Sequence, residues 1–256
     1  MATRNTSLSA ASLVACLVFF LASPQLSGAS QTSGEIRVKE ARGNPAQIVM
    51  PDGSTPPVRV NDAIPEGSLV KTPKNSFLSL LFANGAVLAI KPVSEILISR
   101  FSSPGGVDFG KSGVGHGTTE ASESSTRLDL KSGLILLDLP QLNPKSRFEV
   151  SSDVGCLGIR GTRFYFFAQK GRGAVGVANG RVVVTSLLGE TKSVGPGQAV
   201  GLTPEGLVQP TSGEINLVRE LDATFSPIRP DSAPAPLRSP SQKTTPPSRA
   251  TYQTSE

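Results

Sequence analysis

Between Gly34 and Leu202 the chain alternates short apolar runs with turn residues, and this rhythm constrains the fold more than any other feature. Turns recur at a spacing of about eight to twelve residues, the interval expected of strands in a sandwich, barrel or solenoid. Residues 35–39 alternate polar and apolar side chains, as a half-buried strand must. Asn84-Gly85 separates the apolar runs 76–82 and 86–90 and predicts a tight hairpin. Asn179-Gly180 predicts a second hairpin between runs 174–177 and 181–185, and Lys131-Ser132-Gly133 is expected to join strands 127–130 and 134–138. The 26 glycines and 21 prolines serve such turns, while Val, Ile, Leu and Phe build the strands in a chain without Trp. No fixed-length repeat is evident. The expected fold is all-β: one domain of many short strands, sandwich or solenoid-like, over residues 30–205.

The flanking segments read differently. Arg4, the apolar run 8–22 and the small residues Ser27 and Ala29 form the pattern of a signal peptide over residues 1–29. The apolar run is shorter than the ~20 residues that cross a bilayer. An uncleaved anchor, and a lipoprotein signal at Leu13-Val14-Ala15-Cys16, are the competing readings. Residues 101–126 are Gly- and Ser-rich and read as an exposed loop. Residues 206–225 read as a linker and a short helix around 214–221, with Ser212 as its cap. Residues 226–256 are rich in Pro, Ser, Thr and Arg, a composition that predicts a disordered tail.

The chemistry this sequence excludes is as informative as what it contains. A net charge of +5 is spread in mixed signs, with no Lys/Arg block and no aromatic platform, so nucleic acid is not an expected partner. A single histidine, His116, rules out histidine-cluster metal sites and is poorly placed, between glycines, for a triad. Gly110-Lys111-Ser112-Gly113 lacks the spacing of a phosphate loop. Asp129 and Asp138 could face each other across a hairpin as a glycosidase pair, but an aspartate on the solvent face of a strand is the commoner arrangement. Cys156, beside Leu157 and near Ile159, reads as a buried small hydrophobe. No catalytic residue, cofactor or metal is assigned.

The most distinctive local pattern is Gly158-Ile159-Arg160-Gly161-Thr162, at the end of the Gly-rich stretch between the strand-like runs 147–151 and 163–168. Glycines there permit bends that side chains forbid. Arg160 offers a fork of donors that can tie carbonyls and hold two β layers together, or can pair with an anionic ligand. The structural role is the expected one, with Arg160 buried.

Together with Phe148, Val150 and Gly155, this motif resembles the signature of the FecR domain family. The turn Asp62-Ala-Ile-Pro-Glu-Gly67 before Leu69-Val-Lys-Thr72, the hairpin Phe82-Ala-Asn-Gly-Ala-Val-Leu88, the loosely matching Gly133-Leu134-Ile135, the run Val175, Val177, Gly180, Val182 and Val184, and the closing Gly197-Gln198-Ala199 resemble further parts of it. The resemblance spans roughly residues 34–202. It implies an extracytoplasmic β module that works by contacts rather than chemistry. The best-known regulators of that family carry a cytoplasmic sigma-factor-binding segment before a membrane span. Only a few residues precede the apolar run here, so direct sigma-factor contact is not expected. The expected protein is a periplasmic or secreted, non-enzymatic interaction or envelope-associated signalling module. Its expected partner is an unknown envelope protein or glycan, and membrane contact is expected only if the signal stays uncleaved. A carbohydrate- or cell-wall-binding module is the alternative. N-terminal sequencing of the exported product is expected to start near Ser30; a start at Met1 or a lipid-modified Cys16 overturns that expectation.

Overall fold

The computed structural model describes residues 34–103, 115 and 117–225. These residues form thirteen strands and one helix. The first six strands are β1 (Ile36–Gly43), β2 (Gln47–Val49), β3 (Leu69–Thr72), β4 (Ser76–Phe82), β5 (Val87–Ile90) and β6 (Ser94–Ser102). Three long strands carry the middle of the fold: β7 (Ser125–Asp138), β9 (Gly155–Gln169) and β10 (Arg172–Ser186), with β8 (Arg147–Ser152) between the first two. The chain closes with β11 (Thr191–Val194), β12 (Ala199–Thr203), β13 (Gly206–Val208) and the helix α1 (Ser212–Phe225).

All thirteen strands belong to one hydrogen-bonded sheet, but the sheet folds back on itself. The C-terminal half of β7 pairs with β5 and with the C-terminal half of β9, which pairs in turn with the N-terminal half of β10. With β1, β4, β12 and β13 these segments make one layer. The N-terminal half of β7 lies between β6 and β8, and the N-terminal half of β9 lies between β8 and the C-terminal half of β10. With β2, β3 and β11 these make the second layer. Alternate side chains of both layers point inward and form one core, including Phe82, Phe101, Phe148, Phe164 and Phe166. Phe82 meets Phe101 edge-on, with ring centroids 5.1 Å apart. The architecture is therefore the sandwich alternative. A solenoid would stack coils in parallel, whereas β7–β8 is the only parallel pair among the named strands.

The three long strands correct the expected connections. Lys131-Ser132-Gly133 does not separate two strands, because β7 runs through it and bends at Gly133. Asn179-Gly180 is not a hairpin turn either. It is an irregularity inside β10, with register shifts on both sides of Asn179. The matching bend of β9 is at Gly161, which has φ +56. The two bends interlock. A Cβ on Gly180 would lie 2.4 Å from the Gly161 carbonyl oxygen, and one on Gly161 would lie 2.8 Å from the Gln141 Cα. Only glycine fits where backbones approach this closely in left-handed geometry. Asn84-Gly85 does form the predicted hairpin: the Phe82 N–H donates to the Ala86 carbonyl at 2.9 Å.

The expected loop 101–126 is shorter than its composition implied. Phe101 and Ser102 end β6, Ser125 and Thr126 begin β7, and Glu120 and Ser124 are buried. The Glu120 carboxylate accepts from the Ser124 hydroxyl at 2.5 Å and from the Asn143 N–H at 2.8 Å. Likewise the segment after residue 205 is not only linker, because β13 extends the sheet to Val208. The helix is capped one residue earlier than expected. The Thr211 hydroxyl accepts from the Glu214 N–H, and the Glu214 carboxylate accepts from the Thr211 N–H at 2.6 Å, a reciprocal capping box. Val218 and Leu221 pack on Tyr165 and Ala174, so α1 covers the outer face of the first layer. Tyr165 donates to the Glu214 carbonyl at 2.6 Å, and Arg172 reaches the Glu214 carboxylate at 3.0 Å. Burial, with the Glu214 carboxylate adding to it, holds the Tyr165 phenol well above its ordinary range. The signal peptide, Gly110-Lys111-Ser112-Gly113, His116 and the Pro-rich tail lie outside the described residues.

The corner at Gly161 yields a direct test. Gly161→Ala must adopt a left-handed backbone and push against Gln141, so it is expected to cost at least about 2 kcal/mol in chemical denaturation.

Candidate functional site

The FecR-like motif divides into inward and outward residues. Ile159 is buried in the core and Gly161 is the corner. Thr162 is fully buried; its hydroxyl donates to the Arg181 carbonyl at 2.9 Å and accepts from the Arg181 N–H at 3.2 Å, stitching β9 to β10 beside their bends. Strand alternation then forces Gly158 and Arg160 to the outer face of the second layer, and both are exposed. This corrects the expectation that Arg160 sits between the layers. Ile159 takes the inward place, so its neighbour in sequence cannot.

The buried arginine is Arg163, two residues past the corner. It is the register partner of Asp138 on β7, and the two side chains pair at 3.0 Å with exposures of 8% and 4%. Asp138 is therefore neither on a solvent face nor opposite Asp129. Asp129 lies in the other layer and pairs with Lys131. The chain closes tightly over Asp138: a Cβ on Gly115 would come within 2.5 Å of its Oδ2. Burial lowers the Lys39 pKa, against the opposing pull of the Glu40 and Asp138 carboxylates. Cys156 is half-buried, on the same side of β9 as Gly158, rather than a core residue.

Arg160 instead lines a groove of about 520 Å³ on the second layer, together with Arg100, Arg127, Arg147, Lys145, Glu123 and Glu149. The register shows how the sheet builds it. Arg100, Arg127, Glu149, Gly158 and Val183 are successive cross-strand partners from β6 to β10. A second row carries Arg160 opposite Arg181, with Arg147 one position before Phe148, the partner of Ile159. Arg127 reaches Glu149 at 3.2 Å. Arg181 donates weakly to the Ser193 hydroxyl at 3.4 Å.

Two arginine pairs thus sit directly opposite one another, Arg100 with Arg127 and Arg160 with Arg181. Like charges in that position destabilise a sheet. The cost is small on an exposed surface, and at Arg127 the Glu149 carboxylate offsets it. Gly158 lies between them with open space above it: nothing stands within 4 Å of where its Cβ would be, and its φ is not left-handed. Gly161 answers a steric demand of the fold, and Gly158 answers none among the described residues. Sequence reasoning passed over Arg100, Arg127, Arg147 and Arg181 because they are dispersed one per strand. Only the register brings them together. Among the described residues no group of three or more His, Cys, Asp or Glu side chains is placed to hold a metal ion, and no helix is long and apolar enough to cross a membrane.

The two arginines are expected to respond oppositely to truncation. Arg163→Ala removes the paired guanidinium from the buried Asp138 carboxylate and is expected to cost about 3–5 kcal/mol. Arg160→Ala removes an exposed side chain and is expected to stay within about 0.5 kcal/mol. Urea titration of both variants beside the wild type measures the difference, and the reverse order would restore Arg160 as the structural arginine.

No curated protein matches this sequence. Two crystal structures from Parabacteroides distasonis ATCC 8503, each provisionally named an anti-sigma factor, are similar to it. One, at 2.50 Å resolution, has 13% identity and a TM-score of 0.43 over 60% of this chain. The other, at 1.65 Å, has 12% identity and a TM-score of 0.41 over 56%. The matched regions span 63% and 59% of those two chains. Residues 68–183, which run from the turn before β3 to the C-terminal half of β10 and include the whole Gly158–Thr162 motif, match the family model described as FecR protein, and the chain carries a FecR domain.

Proposed function

We propose that this chain is an exported, non-enzymatic FecR-domain protein that acts as an interaction or signalling module of the cell envelope, in the periplasm or outside the cell. The observation that supports this reading most is the placement of the motif. Its inward residues build the corner of the fold, while of its outward residues Arg160 lines a charged groove and Gly158 lies bare in the cross-strand row that runs on from that groove, on five hydrogen-bonded strands. A side-chain array fixed on strands suits recognition, because its geometry is set before a partner arrives. The match to the FecR protein family supports a regulatory role through protein contacts. Direct sigma-factor contact is not part of the proposal.

The glycan-binding alternative receives no support from the groove. Its lining has no aromatic side chain on which a sugar ring could stack. Affinity capture from envelope extract with the full chain, paired with sedimentation on purified cell-wall material, tests the reading. Reproducible recovery of a protein partner without co-sedimentation is expected. Co-sedimentation without a protein partner would favour the glycan-binding module.

A further inference from the structure

We infer that the arginine-lined groove, with the exposed Gly158 and Val183 that continue its cross-strand row, receives a carboxylate-bearing, extended segment of a partner protein, laid across β6 to β10. This rests on the interaction-module reading and adds to it the site and the chemistry of the contact.

Charge supplies the first argument. The groove lining holds four arginines and a lysine against two glutamates, and Arg181 adds a further cation beside Arg160. Guanidinium forks bind carboxylates through two parallel hydrogen bonds. No acid among the described residues pairs with Arg147 or Arg160, so these two forks face outward ready for an external anion. The like-charge pair Arg160–Arg181 weakens the isolated sheet and would be relieved by an anion bridging it.

The bare backbone at Gly158 supplies the second argument. A glycine in a strand interior, with no left-handed φ and no neighbour to avoid, marks a place where another chain or ligand approaches closely. The Val183 side chain beside it is 42% exposed and offers an apolar contact at the same level. An occupant that puts acids over the arginines and a small or apolar group over Gly158 and Val183 is a peptide of mixed composition. A uniform polyanion would meet Glu123 and Glu149 within the groove. The row from Arg100 to Val183 crosses five strands, roughly 19 Å at the usual strand spacing, a distance that an extended peptide of about six residues covers.

The test uses the full chain and a fluorescein-labelled peptide alternating glutamate with threonine, read by fluorescence anisotropy at low and at physiological salt. The wild type is expected to bind the peptide in a salt-dependent manner. Arg160→Gln and Arg147→Gln should each weaken binding by about tenfold, the loss of one charge-assisted contact. Gly158→Val fills the open space without touching the core, so it should weaken binding with an unchanged melting temperature. Lys74→Gln, an exposed lysine outside the groove, should change nothing. Absence of binding, an equal effect of Lys74→Gln, or tighter Arg160-dependent binding of polyphosphate or polygalacturonate would overturn the inference. If envelope capture recovers a protein partner equally well with Arg160→Gln and Gly158→Val, the groove assignment fails while the interaction-module reading stands.

Discussion

Continuity of β7, β9 and β10 through both layers is the constraint on which the rest of this structure depends. A flat sheet of these strands would leave one apolar face to water. Bending β9 and β10 side by side at Gly161 and Gly180, and β7 at Gly133 opposite Ala168 at the other end of the first layer, brings the two halves of that face together around one core. The bends require backbones to approach more closely than a side chain allows, as at Gly161 and Gly180. The Thr162 hydroxyl replaces ladder hydrogen bonds that the bend would otherwise leave open. In this light the most distinctive stretch of the sequence is first of all a corner.

The all-β class was legible because strand alternation and turn residues are local properties. The Asn84-Gly85 hairpin, the strands around it and the C-terminal helix emerge from short-range signals alone. Asn179-Gly180 and Lys131-Ser132-Gly133 carry the same local signal as a hairpin, yet the chain continues straight on through a bend. What differs is the partner strand, and no local pattern specifies it. The same limit hid the buried charge pair. Arg160 and Arg163 are both arginines near glycines, and only the shift of alternation at Gly161 turns the first outward and places the second against Asp138. The three other groove arginines, and Arg181 beside them, were invisible for a related reason. One arginine per strand is unremarkable along the chain and becomes a row only through register.

The two outer faces are treated differently. The first layer is capped by α1, whose apolar side covers Tyr165 and Ala174 and whose first turn is held by Thr211, Glu214 and Arg172. The second layer keeps an open face that concentrates like charge and leaves Gly158 bare. Stability alone explains the first arrangement. The second runs against it, and departures of this kind from the most stable choice mark surfaces shaped for contact.

The strands that pass through both layers also govern how the molecule yields. β9 and β10 stay paired with each other on the helix-covered side and on the arginine face, and at the corner between them the Thr162 hydroxyl bridges the break in their ladder. A load applied at the groove would pass along β9 and β10 to the strands beneath α1 instead of being absorbed at a hinge. The sandwich is in that sense a stiff lever, and an event at one face is mechanically felt at the other.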